Sequence, residues 1–126
     1  MPVECPDWRL GQSASLRTGI QAVQDCDAAV VMLADQPEIT AAAVDCVIRA
    51  RDASRPVVRA SYEGAPGHPV LFERDLFDAL QKLSGDQGAR DLVRAANVVE
   101  VACDGLGSLR DVDTRNDLES IANRRL

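Results

Sequence analysis

Aromatic residues are scarce in this chain, at 3% of 126 positions. Its core must therefore be built from Ala, Val, Leu and Ile. Long apolar runs are absent as well. No stretch approaches the roughly 20 residues that a membrane-spanning helix needs. The N-terminus has no basic start and no apolar signal core, so it does not read as a secretion signal. Cysteines number four, at 5, 26, 46 and 103, with no Cys-x-x-Cys pair. That spacing argues against zinc and dithiol chemistry and for free thiols in the cytoplasm. Positive charge is in deficit: 14 Lys and Arg stand against 20 Asp and Glu, a net of −6. A general nucleic-acid binder would need a basic face. A small anionic substrate held by local amides or a metal is not excluded. The length suits one domain, spanning 1–126.

The stretch from Ala28 to Pro37 organises the rest. Six apolar residues, Ala28 to Leu33, run unbroken between Asp27 and Asp35. This predicts a strand over 28–34, buried on both faces inside a mainly parallel sheet. Pro37 stops the ladder. Asp35 then lies just past the carboxyl end of a central strand, where ligands bind in open α/β sheets. It is a candidate metal or phosphate-site carboxylate. The competing reading is a turn or helix-capping Asp.

Helices and strands alternate along the chain. Leu16, Ile20 and Val23 predict a helix over 13–24, with Ser13 or Ser15 as N-cap. Thr40 caps a second helix reaching about residue 53. Strands are expected at 56–61, 70–72 and 98–102, with a Gly- and Pro-rich loop over 63–69. Helices are expected at 75–83 and 89–96, and a last one after Asp111. The alternation predicts an α/β fold.

Four loops carry polar residues suited to chemistry. Gly11-Gln12-Ser13-Ala14-Ser15 opens a helix and can offer amides and hydroxyls to a ligand, although helix capping also explains it. Ala34-Asp35-Gln36-Pro37 is the second. Gly67-His68-Pro69 holds the sole histidine. Gly85-Asp86-Gln87-Gly88 holds a second Asp, alternatively a helix N-cap. Two carboxylates on separate loops can share one Mg²⁺ whose shell is completed by phosphate and water. Such an ion would serve phosphoryl or nucleotidyl transfer.

Five segments occur in order: Gly-Gln-Ser-Ala-Ser-Leu at 11–16, Ala-Asp-Gln-Pro at 34–37, Gly-His-Pro-Val-Leu-Phe at 67–72, Gly-Asp-Gln-Gly-Ala-Arg at 85–90 and Asp-Val-Asp-Thr at 111–114. Together they resemble the molybdenum cofactor nucleotidyltransferase family, the MobA-like NTP transferase domains, and most of all the molybdopterin cytidylyltransferases. The resemblance covers about residues 5–118. It implies a Rossmann-like nucleotidyltransferase fold, a GT-A-like three-layer sandwich. It implies transfer of a nucleoside monophosphate from CTP or GTP to molybdopterin, with Mg²⁺ and release of pyrophosphate. By motif, Asp35 and Asp86 would be catalytic metal ligands. Gly11, Gln12, Ser13 and Ser15 would lie near the nucleotide, and Gly67, His68 and Pro69 on the pterin side.

The chain also departs from the family. The glycine-rich loop that cradles the triphosphate, with its Arg-Met-Gly and Lys, has no counterpart among these residues. Ala34 stands where Gly is common, and Arg115-Asn116 where Pro-Glu is common. The expectation is an N-terminally truncated domain whose activity on its own is in question. The alternative is a non-catalytic pterin- or partner-binding module of the same fold. A molybdoenzyme or chaperone partner, or self-association through an uncovered sheet edge, belongs to these readings.

Overall fold

A computed structural model describes residues 1–36, 38–85 and 89–107 of the chain. Among them, four strands form one sheet: β1 (Ala28–Val31), β2 (Val57–Tyr62), β3 (Ala65–Glu73) and β4 (Val98–Ala102), in the order β1-β3-β2-β4. β3 runs antiparallel to both β1 and β2, and β2 runs parallel to β4. So β1, β2 and β4 point the same way, and β3 lies reversed among them.

Helices cover both faces, giving three layers. Along β2 the side chains alternate: Val57 faces one core, Val58, Ala60 and Tyr62 the other. The first core is closed by α1 (Gln12–Ala22), α3 (Phe77–Gln81) and α4 (Arg90–Ala95) through Ile20, Phe77, Leu80 and Val93. The second is closed by α2 (Ala41–Arg49) through Ala43 and Val47. Phe72 and Leu71, adjacent on β3, are fully buried on opposite faces. Burying such a side chain contributes about 1.5–3 kcal/mol, so the two cores share the stabilisation in place of large aromatics.

The central stretch corrects two expectations. β1 has four residues rather than seven. It is also an edge strand among the described residues, paired antiparallel with β3 alone. The physical reason lies in its burial. Ala29 and Val31 pack on the first core, and Ala28 and Val30 on the second. An unbroken apolar run reports that both faces touch a core, here with all four β1 residues half-buried rather than buried. It does not report how many strands are hydrogen-bonded alongside, or in which direction.

The expected 63–69 loop is mostly strand. Glu63 and Gly64 have φ of 52° and 81°, as a tight primed hairpin turn requires at both central residues. β3 begins at once at Ala65. Its prolines are accommodated where the register shifts between Arg59 and Ser61, as strand prolines are at bulges. The His68–Pro69 peptide is cis.

The helices fall close to expectation. Gly11, not Ser13 or Ser15, is the N-cap of α1. Thr40 caps α2 by accepting the Ala43 amide at 3.2 Å, but the helix ends at Arg49. The segment 75–83 divides into a 3₁₀ turn, Arg74–Leu76, and the short α3. The helix expected after Asp111 lies outside the described residues.

The amino end of β1 is clamped. Arg74 donates to the carbonyls of Asp25 and Cys26 at 2.8 Å each and to the Asp27 carboxylate at 3.0 Å. Arg51 grips Glu73 with two bonds, 2.7 and 2.8 Å, which raises the Arg51 pKa. These pairs are exposed and individually weak. They fix the sheet end away from the candidate site.

Candidate active site

Because β1, β2 and β4 run in one direction, their carboxyl ends share one edge of the sheet. The 32–36 turn, the 63–64 hairpin and the 103–107 turn all gather there. Cross-links tie these loops together. The Thr40 amide donates to the Leu106 carbonyl at 3.3 Å, and the Thr40 hydroxyl donates to the same oxygen. The Glu63 amide donates to the Asp104 carboxylate. Tyr62 donates its hydroxyl to the His68 carbonyl at 2.6 Å, which fixes the start of β3 from below. Burial pushes the Tyr62 hydroxyl pKa up, with the neighbouring Cys103 adding to it.

Beside β1 a cleft of about 1350 Å³ opens across the first face of the sheet. One wall is α1, presenting Gln12 and Ser15. The strand edge 29–33 and Gln36 form the next side. Gly67 and His68 lie at the start of β3, and α4 closes the far wall. An apolar floor with a few convergent polar groups is the usual character of a small-molecule site.

The structure brings only some of the sequence-derived candidates together. Gln12, Ser15, Gly67 and His68 line the cleft. Gly11 sits behind them, with a φ of 116° that suits glycine as it turns the chain into α1. Ser13 is fully buried, and its hydroxyl donates to the Gly85 carbonyl at 2.6 Å. Pro69 is fully buried behind His68. Asp35 is exposed in the turn just past β1, and its neighbour Gln36, not Asp35 itself, lines the cleft. Asp86 lies outside the described residues.

Among the described residues, no three His, Cys, Asp or Glu side chains cluster closely enough to hold a metal. Among the described residues the cleft lining carries one carboxylate, Asp91, and Asp35 is exposed in the turn just past β1. Separate carboxylates of this kind suit a hard ion such as Mg²⁺, which keeps most of its shell for water and phosphate. They do not fit a closed structural zinc site.

Sequence reasoning missed three cations. Arg59, Arg90 and Arg94 all line this cleft, against one carboxylate, Asp91. Arg90 and Arg94 are four apart on α4 and so share a face. Arg59 has the same strand parity as Val57, which places it on the cleft side of β2. The helical spacing of the first two was readable in the sequence. The strand parity of Arg59 became meaningful only once the faces were assigned.

The geometry now stands beside known proteins. The family described as "MobA-like NTP transferase domain" matches residues 2–101. The chain belongs to that family. It is 30% identical over 123 residues to the purine catabolism protein PucB of Bacillus subtilis (strain 168), covering 93% of this chain and 58% of that protein. It superposes with a TM-score of 0.73 and 32% identity on Rv0371c of Mycobacterium tuberculosis H37Rv in a complex with manganese, covering 86% of this chain and 60% of that one. At 17% identity and a TM-score of 0.62 it shares the fold of molybdopterin-guanine dinucleotide biosynthesis protein A from Archaeoglobus fulgidus, covering 90% of this chain and 64% of that one. The chain thus spans about three-fifths of the length of these MobA-like relatives. No helix among the described residues is long and apolar enough to cross a membrane.

Proposed function

We propose that this MobA-like domain serves transfer of CMP from CTP to molybdopterin, with Mg²⁺ and release of pyrophosphate. The observation that supports the reading is the shared cleft: Gln12 and Ser15 on α1 and Gly67 and His68 on β3 all line it beside β1. Residues from the motif segments 11–16 and 67–72 thus border one cavity although they are far apart in sequence. Gln12 and Ser15 would bond and orient the nucleotide. Gly67 and His68 would border the acceptor ring. Asp35, with Asp86 by motif, would hold the Mg²⁺. That ion, when bound, supplies charge stabilisation at the transferring phosphate.

Four cysteines that form no disulfide support a reducing compartment, the cytoplasm. The glycine-rich triphosphate loop has no counterpart among these residues. GTP in place of CTP is the variant of this reading to test.

A second reading, a non-catalytic pterin- or partner-binding module, is favoured by one observation. The backbone edge of β1 is open among the described residues.

The experiment is a thermal-shift titration with CTP and with GTP, each with and without Mg²⁺, on wild type and His68→Ala. A ligand present at about 100 times its dissociation constant adds about 2.7 kcal/mol of stability. A Mg²⁺-dependent shift with CTP exceeding that with GTP is expected. Absence of any nucleotide shift, with a shift on adding molybdopterin, would favour the second reading.

A further inference from the structure

The three arginines of the cleft have no role in the function just proposed. In a chain of net charge −6, three arginines line this cleft with Asp91, and Glu100 pairs with Arg59 beside it, so the arginines exceed these two carboxylates by one. Their pairing is incomplete. Arg59 Nη2 meets Glu100 at 2.9 Å, but its Nε is buried without a hydrogen-bond partner among the described residues. Arg94 lies 4.0 Å from Asp91, at the limit of an ion pair, with both side chains mostly exposed. Arg90 enters no ion pair among the described residues. A guanidinium presents planar paired donors that match phosphate oxygens, and it stays charged at any physiological pH. The low-lying sheet face around Val70 and Phe72 lowers the local dielectric, which strengthens such a contact.

We propose that Arg59, Arg90 and Arg94 form a phosphate subsite on the β2–α4 side of the cleft, taking a terminal phosphate dianion. Arg59 lines the cleft from β2, and Arg90 and Arg94 line it from α4. The inference rests on the nucleotidyl-transfer reading only for where the phosphate comes from. That source is either the nucleotide or the phosphorylated acceptor.

The test titrates inorganic phosphate into the ¹⁵N-labelled full chain at low ionic strength, without metal. The variants are wild type, the double variant Arg90→Ala/Arg94→Ala and Arg49→Ala. Arg90 and Arg94 are exposed, so the double variant should keep the fold, and thermal melts check this. Arg49, exposed on α2, is the control. The expected result is saturable movement of the Arg59, Arg90 and Arg94 amides in wild type and in Arg49→Ala. In the double variant the affinity should fall about tenfold or more, as for lost charge-assisted bonds. Equal affinity in the double variant, or no saturable movement at these amides, would overturn the subsite.

Adding CTP separates the sources. Displacement of phosphate by CTP assigns the subsite to the nucleotide, and simultaneous binding assigns it to the acceptor; both support it. Arginine-dependent phosphate binding with no CTP binding would sink the cytidylyl reading alone. CTP binding indifferent to the double variant, with no phosphate binding, would sink the subsite alone.

Discussion

Ser13 and Gly85, 72 residues apart, are joined twice: the Ser13 hydroxyl and the Ser13 amide both donate to the Gly85 carbonyl, at 2.6 and 3.2 Å. Arg17, one turn further along α1, donates to the Leu83 carbonyl and to the Ser13 hydroxyl. The 83–85 segment is thereby laid against the first turns of α1. This segment leads directly into Asp86. Ser13 acts in the described structure by placing that segment, with its side chain turned away from the cleft that Ser15 lines.

Ser13→Ala should therefore destabilise the fold by about 1 kcal/mol, the net value of a typical buried hydrogen bond. Urea unfolding of wild type and variant checks it, with the slope unchanged and the midpoint lowered. Ser15→Ala, at a position facing the cleft, should leave the midpoint nearly unmoved.

The loop cross-links at the carboxyl edge make a second prediction. A Cβ at Gly107 would stand 2.9 Å from the Glu38 carbonyl oxygen and 3.2 Å from the Ile39 Cα. Both are backbone atoms, so neither can swing aside. Gly107→Ala should cost about 1–3 kcal/mol, as overpacking does, and should disturb the turn that carries Asp35. Thr40→Ala removes the α2 cap from the same junction and should cost about 1 kcal/mol. Thermal melts of the two single variants and the double report whether the costs add. Sub-additive costs are expected, because Thr40 and Gly107 lie at one contact.

Much of this was legible in sequence, and the misses have physical causes. The Thr40 cap and the bounds of β4 were readable because a hydroxyl before an apolar stripe, and a Val-rich run between polar residues, are local signals. The position of β1 was not, because strand order and direction are set by partners far along the chain. The hairpin at Glu63–Gly64 was hidden by Pro66 and Pro69, which suggest a loop unless a register shift is known to absorb them. Of the residues lining the cleft, Gln12, Ser15, Gly67 and His68 were sequence candidates. Their meeting in one cleft could not be derived from spacing. Arg59 escaped notice because a lone arginine on a strand reads as a solvated side chain until its face is known.

Alkaline pH should weaken the fold. Cys103 is fully buried, and burial is the main cause that raises its pKa above the ordinary 9.0 of a thiol, with Cys46 and Asp104 adding to it. Tyr62 is raised above 10.0, again mainly by burial. Both groups hold their protons more tightly when folded. The stability they contribute is fully present below their unfolded pKa values and is lost as pH rises through the folded ones. Melting temperature should be level through neutral pH and fall above about 9. Cys103→Ser should start that fall later. In native thiol titration, exposed Cys26 should react quickly and Cys103 only on unfolding.

The central claim is that the cleft between α1 and β3 is where nucleotide binds. Amide chemical-shift mapping with CTP and Mg²⁺ on the ¹⁵N-labelled chain tests it most directly. The account predicts that Gln12 and Ser15 move together and saturate at one concentration, while Ala41–Arg49 of α2 on the opposite face stays still. Movement confined to α2, or no saturable movement at Gln12 and Ser15, would contradict it.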